Sequence, residues 1–466
     1  MDFRGWLAER RELRAGRLVV AAGATACAVF MLGFAALQYT MPATFSGGLG
    51  LNIPSVGHYQ RTLLGGFDPA LNDRTFINGF RILLGCAWGL YALALGLGLK
   101  VGAPPFGSIM ALGGVTAFLL AVWCPPSLST DVYAYVAYAR LPTYYGKNPY
   151  VTAPSAMKAW GDPTAPFVGY LHIPCVYGPT WVLLSMAGAA ATRDASLWWQ
   201  VMLMKLLEAV ALLAAAVAGR ELAERFRPGR GRLAAMAIAL NPLLMLEGPC
   251  NGHNDVLMMA LMLWAAVLHG RGRRVVGDLV LSLAIGVKFV PAAVVPWLAL
   301  ERGRGLGLAG KLRETALAAL FTLSPVVLAY VPLWQGRATF TAQGQRAAWG
   351  GRDISYDRVE HWLLDRGFDQ ARAASLVQLL AQWPVVAVYA GLTLMVARGS
   401  SFGLWFDAWA LLSLGLIAWS VGVRFPWYLS WPVCTTLTRW DPPRRAVFAT
   451  LCLSYAAFTT TFDYCG

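Results

Sequence analysis

Long apolar runs separated by short basic clusters set the pattern of this chain. The runs lie at about 18–37, 80–102, 106–124, 177–192, 197–219, 232–250, 254–269, 275–300, 313–333, 378–397, 403–421, 426–438 and 445–462. Most are ~16–25 residues long, close to what a bilayer requires, and an unpaired backbone is intolerable in lipid, so they predict membrane helices. Several are conspicuously short.

The basic clusters constrain how these helices cross. Five Arg lie in residues 1–17, five in 220–232, three in 269–274, four Lys or Arg in 301–313 and three Arg in 439–445. Short cytoplasmic loops retain such residues, so all five clusters are expected on one side. One crossing per run would put 220–232 on the wrong side. The conflict disappears if 177–192 is re-entrant or interfacial and 275–300 is a hairpin broken near Lys288-Phe289-Val290-Pro291. Proline favours that break because it lacks a donor and clashes with the preceding turn. The run is short for two full spans, which predicts half-depth or strongly tilted helices.

The expected architecture is an all-α polytopic membrane protein, a single domain over 1–466 with about 13 transmembrane helices, N-terminus inside and C-terminus outside. The first span, with its arginine-rich flank and no clear small-x-small site, reads as uncleaved. Residues 38–79, 125–196, 251–255 and 334–377 then share the outer side, with Arg424 at a fifth outer connection. The 125–196 and 334–377 segments read as ordered external loops with short helices.

Composition sharpens the class. The chain is 57% apolar and 13% charged with mean hydropathy +0.53, against roughly 25% charged residues in soluble domains. The net charge of +14 does not indicate nucleic acid, because the arginines sit where orientation signals belong. The eight cysteines are scattered, without zinc spacing or a disulfide framework. Walker A, His-Glu-x-x-His, Gly-x-Ser-x-Gly and Cys-x-x-Cys patterns are missing from the sequence, leaving ATP-driven transport and zinc proteolysis without support.

The candidate chemistry is concentrated in the outer connections. Ser129 or Thr130 is suited to cap a helix beginning near Asp131, on which Asp131, Tyr135 and Tyr138 share a face at i, i+4 and i+7. A carboxylate at the membrane–water boundary is placed to act as general base; a surface acid among interfacial tyrosines is the plainer reading. Asn251-Gly252-His253-Asn254-Asp255, with Glu247 one turn earlier, is the densest polar cluster between apolar helices. His253 can bind a sugar hydroxyl or phosphate or orient an acid, with Asp255 fixing its tautomer. The cluster also offers oxygen ligands to a divalent metal, without an identifiable octahedral set. Lys288 and Arg424 interrupt apolar runs. They are candidates to clamp a lipid phosphate, near Trp427 and Tyr428, or else snorkel to headgroups. The 334–377 segment carries six Arg and five acids, which fits a site cover, an acceptor surface or solvated salt bridges.

Ser129-Thr130-Asp131-Val132-Tyr133-Ala134-Tyr135, Asn148-Pro149-Tyr150, Tyr177-Gly178-Pro179, Gly252-His253-Asn254-Asp255, Lys288-Phe289-Val290-Pro291 and Arg424-Phe425-Pro426-Trp427-Tyr428 occur in this order. In these motifs the chain resembles the GT-C superfamily of polytopic glycosyltransferases, especially bacterial polyprenyl-phosphate-mannose-dependent α-mannosyltransferases. The resemblance implies inverting transfer of a hexose, with mannose expected, from a polyprenyl-phosphate-sugar donor to a glycan or glycolipid acceptor at the outer face of a bacterial inner membrane. Asp131 would be the base, Lys288 or Arg424 would stabilise the leaving phosphate, and His253 would position a substrate with support from Asn254 and Asp255. No organic cofactor is implied. Many relatives place the acid in the first external loop, so Asp68 and Asp73 are rivals to Asp131. Outside this resemblance, a transporter of a lipid or polar solute is the competing reading, with Asp131, Lys288 and Arg424 as its binding groups.

Overall fold

The computed structural model describes residues 3–37, 73–126, 129–342, 354–400, 403–417 and 426–439. Its described elements are helices and turns. In chain order the principal helices are α1 (Phe3–Leu37), α2 (Asp73–Val101), α3 (Phe106–Trp123), α4 (Asp131–Tyr145), α5 (Pro179–Ala191), α6 (Leu197–Phe226) and α7 (Gly231–Ala239). They continue with α8 (Asp255–Gly270), α9 (Arg274–Val287), α10 (Val294–Arg302), α11 (Leu308–Tyr330), α12 (Ile354–Leu364), α13 (Gln370–Arg398), α14 (Leu404–Gly415) and α15 (Ser430–Arg439).

Six described helices are long and apolar enough to cross a bilayer, or seven if α7 and the bent Pro242–Cys250 segment form one span. Length and composition therefore support a polytopic helical membrane protein with fewer full-length spans than the about 13 expected from charge bias. The difference has a physical cause. α5 has 13 residues, α8 has 16 and α14 has 12. At 1.5 Å per residue, even α8 extends only ~24 Å, short of a hydrocarbon core of ~30 Å. The final run, 445–462, lies outside the described residues.

The 275–300 run breaks where its proline suggests. α9 ends at Val287, Lys288 is extended, and a 3-10 turn over Val290–Ala293 contains Pro291 before α10 begins. The chain then doubles back: Arg302 at the end of α10 donates to Asp278 near the start of α9 at 2.8 Å. Two helices of 14 and 9 residues thus form the shallow hairpin expected from the sequence.

This folding separates two ends of the bundle. At one, Arg17 reaches the Val101 carbonyl, Arg230 reaches the Leu99 carbonyl, Arg271 pairs with Glu221 and Arg302 pairs with Asp278. Four basic clusters distant in sequence therefore meet at one end. The opposite end gathers the start of α4, the 251–255 turn, Lys288 and the Pro426–Leu429 turn around the candidate site. Large buried side chains, including Trp181, Trp297, Trp405 and Trp409, fill the space between helices. Such side chains contribute most of the apolar area sealed in a core.

Candidate active site

Asp131 opens α4, and Ser129 Oγ accepts its backbone N–H at 3.1 Å. Ser129 therefore satisfies one of the donors a helix N-terminus leaves unpaired. The other end closes at Gly146 in the left-handed region, φ 61°, with Lys147 N–H donating to the Leu141 carbonyl. Asn148 supplies the next turn, accepting Tyr150 N–H at 2.9 Å and donating to the Leu333 carbonyl at 2.6 Å. The 125–196 segment includes the short helix Ala156–Ala159 and the 3-10 turn Ala165–Phe167.

The helix is more deeply enclosed than an interfacial amphipathic helix would be. Val132 through Leu141 are all buried. Tyr177 organises the face on which Asp131, Tyr135 and Tyr138 were expected. Its hydroxyl donates to Asp131 Oδ2 at 3.2 Å, while its ring stands edge-on to Tyr135 and lies 6.4 Å from Tyr138. Burial, with smaller contributions from Tyr177 and the Asp131 charge, pushes the Tyr135 hydroxyl well above the ordinary tyrosine range. Tyr135 is consequently a neutral wall of the site.

The second component is the turn between α7 and α8. A π-helical turn over Leu246–Cys250 leads to Gly252, whose φ is 78°. A Cβ at Gly252 would meet Val132 at 2.9 Å and Lys205 at 3.3 Å. Both conformation and space therefore call for glycine. This close approach delivers His253 to Asp131: His253 Nε2 lies 3.0 Å from Ser129 Oγ and 3.9 Å from Asp131 Oδ2. His253 Nδ1 lies 2.9 Å from Glu247 Oε2, which also accepts Asn251 Nδ2–H at 3.3 Å. With Nδ1–H donating to the Glu247 carboxylate, Nε2 accepts the Ser129 hydroxyl proton, and one histidine tautomer satisfies both contacts.

Asp255 has a different partner from the one its position beside His253 suggested. Its Oδ2 accepts from Lys288 Nζ at 2.6 Å, and Oδ1 accepts Trp431 Nε1–H at 2.6 Å. Glu247, rather than Asp255, holds the histidine ring. Lys288 is therefore an ion-paired cation rather than an isolated one, lying 5.3 Å from the Tyr428 ring centroid. Trp427 stacks on His253 with centroids 4.1 Å apart. Asn254 is fully buried, and neither its amide oxygen nor nitrogen has a hydrogen-bond partner among the described residues. Asp131 and Lys288 retain 13% and 14% side-chain exposure, so both can be approached in the enclosed site.

Arg424 and Asp68 lie outside the described residues. Asp73 begins α2, whose side chain is not described. Most of the polar residues singled out in 334–377 also fall outside the described side chains. Among the described residues no group of three or more His, Cys, Asp or Glu is arranged to hold a metal ion. The Asp255 carboxylate is already committed to Lys288 and Trp431, so the proposed metal donor set does not converge there.

Sequence reasoning missed the bonding roles of Tyr177 and Trp431 and the contact of the capping residue Ser129 with His253. It also missed Lys205 and Glu208, fully buried in α6 beneath the site. Lys205 donates to the carbonyls of Leu120 and Cys124, while Glu208 Oε2 accepts the Leu257 N–H. Their charge within the apolar run 197–219 was a usable signal, because intramembrane ionisable residues generally have structural or functional partners.

Comparison with known proteins places this geometry in a family context. The family model described as Alpha-(1->6)-mannopyranosyltransferase, N-terminal domain, matches residues 82–302. That interval contains Asp131, Tyr177, Glu247, His253, Asp255 and Lys288. Over 406 residues, the chain is 25% identical to Alpha-(1->6)-mannopyranosyltransferase A of Mycobacterium tuberculosis, covering 80% of this chain and 73% of that relative. No solved structure matches the chain. Over these stretches the chain is similar to alpha-(1->6)-mannopyranosyltransferases, and its apolar helical bundle is that of a polytopic membrane protein.

Proposed function

We propose that the enzyme transfers mannose from a polyprenyl-phosphate-sugar donor to a hydroxyl of a glycan or glycolipid acceptor, with inversion at the anomeric carbon. The sugar assignment rests on the names of the matching family and relative. The proposed site faces outward from a bacterial inner membrane. Its side is inferred from the arginine clusters gathered at the opposite end.

The observation that carries the chemical reading is the partly exposed Asp131 carboxylate, fixed by Tyr177 and adjacent to the His253–Glu247 pair. As the acceptor oxygen attacks the anomeric carbon, Asp131 takes its proton. The donor C–O bond breaks, and both bonding electrons leave with the polyprenyl phosphate. Attack opposite that leaving group inverts the carbon. Hydrogen bonding from Tyr177 orients the carboxylate and leaves Oδ1 for the acceptor.

Lys288 would stabilise the phosphate as charge develops. Its contact with Asp255 uses one ammonium donor and fixes the side chain, leaving further N–H groups for phosphate oxygens. Arg424 is retained as a second proposed cation. Asn254 is suited to a sugar hydroxyl because its buried amide has unused hydrogen-bonding capacity. Trp427 and Tyr428 form walls beside His253 and Lys288.

Purified protein supplied with polyprenyl-phosphate-mannose or polyprenyl-phosphate-glucose, across glycan and glycolipid acceptors, tests the transfer reaction. The expected result is a mannosylated product with an inverted linkage; glucose transfer alone or retained configuration would contradict the proposed specificity or mechanism. A single cysteine at Lys158 should label from outside, whereas one at Leu306 should require access from inside. The reverse pattern would overturn the outer-face placement.

A further inference from the structure

We propose that Cys124 and Cys250 form a structural disulfide that staples the Asp131-bearing connection to the turn carrying His253. Cys124 follows α3 and Cys250 ends the π-helical turn. Although 126 positions separate them in sequence, their sulfur atoms approach to 2.8 Å, and both residues are fully buried. This distance is well inside ordinary non-bonded sulfur contact and within about 1 Å of a sulfur–sulfur bond, although both residues stand as free thiols in this structure. By contrast, the Cys27 and Cys175 sulfurs reach only the backbone carbonyls of Leu240 and Tyr177.

The surrounding structure fixes both partners. Lys205 donates to the carbonyls of Leu120 and Cys124, holding the end of α3. Gly252 packs against both Val132 and Lys205, so the Cys250 turn meets the beginning of the Asp131 helix. The bond would therefore reinforce the approach of Ser129 to His253 as well as the contact between distant chain segments. A constraint there acts on the site's geometry without requiring either sulfur to touch substrate.

The inference rests on the outer-face placement, because disulfides persist in oxidising compartments. A disulfide-bearing oxidant can accept the electrons during folding. One cysteine thiolate attacks it to form a mixed disulfide, and the second thiolate displaces the oxidant sulfur. The protein loses two protons and two electrons in total, while the oxidant disulfide becomes two thiols. Packing of the connections then covers the bond and protects it from reductants.

Thiol trapping on the full-length protein tests the bond directly. Cells are quenched with an alkylating reagent under denaturing conditions, and the protein is digested and measured by mass spectrometry without and with reductant. The expected result is a linked peptide containing Cys124 and Cys250, with both positions becoming alkylatable only after reduction. Two alkylated thiols before reduction would overturn the proposal. Cys124→Ala, Cys250→Ala and the double variant should show the same loss of thermal stability, because each lacks the same bond; additive losses would indicate separate packing roles and contradict it. External labelling of Lys158→Cys with both native thiols free would overturn the disulfide while preserving the outward-site reading. Labelling only from inside would overturn the placement on which both depend.

Discussion

Gly178→Ala tests how the fold aligns the proposed base with the phosphate side of the site. Gly178 N–H donates to the Val287 carbonyl at 3.1 Å. A Cβ at position 178 would lie 2.6 Å from the Gly286 carbonyl carbon and still closer to its oxygen, whereas ordinary contact begins at 3.4 Å. The obstruction is backbone, which cannot rotate aside like a flexible side chain. In a close-packed interior, the segments would have to part by roughly 1 Å. Overpacking of this kind costs about 1–3 kcal/mol. Tyr177, which positions Asp131, immediately precedes the obstruction; Lys288 immediately follows Val287. A displacement of this size is expected to lower turnover by about 100-fold. Thermal unfolding and transfer rate should be measured on the same purified preparation. The account predicts a modest fall in melting temperature and a disproportionate fall in turnover. Wild-type turnover and stability together would refute the close-approach argument.

Other substitutions separate the proposed roles. Glu247→Gln removes the carboxylate that orients His253 and should lower turnover about tenfold, corresponding to ~1.4 kcal/mol, with smaller effect on folding. An unchanged rate and pH profile would remove Glu247 from the positioning network. Lys288→Ala should weaken donor affinity, and Asp255→Asn should alter donor affinity by freeing Lys288 from its fixed ion pair; unchanged donor titrations for both would discard the phosphate role. At the side of α4, Arg140 and Asp162 form a buried 2.8 Å ion pair, with Tyr145 and Thr164 also bonding Asp162. Burial pushes Asp162 up, but hydrogen bonds from Tyr145, Thr164 and Arg140 together hold its carboxyl below the usual range. Its stabilising contribution is therefore present above about pH 4, the ordinary unfolded range, and declines as pH falls through the lower folded value. Thermal melts of wild type and Asp162→Asn should differ most above that range and converge as acidity rises; parallel curves would contradict the linkage.

Much of the fold was readable because apolar lengths and basic clusters report the bilayer directly. The proline after Lys288 also exposed the broken hairpin. Full-span counting failed where apolar helices are short, because composition cannot distinguish crossing, oblique and half-depth segments. The Asp131 region was legible as a polar boundary with a helix cap and an aromatic face. Tyr177 and Glu247 gained their site roles only through contacts spanning distant parts of the chain. Asp255 appeared beside His253 in sequence but turned toward Lys288 and Trp431 in space. Gly178 likewise gained meaning only when Gly286 supplied the opposing backbone.

The central chemical assignment is tested most directly by Asp131→Asn in a purified transfer assay paired with donor binding and thermal unfolding. Asparagine preserves size while removing the carboxylate needed to accept the acceptor proton. The account predicts a loss of about 100-fold or more in turnover, with donor affinity and folding retained. A folded variant with wild-type turnover would contradict Asp131 as the essential base.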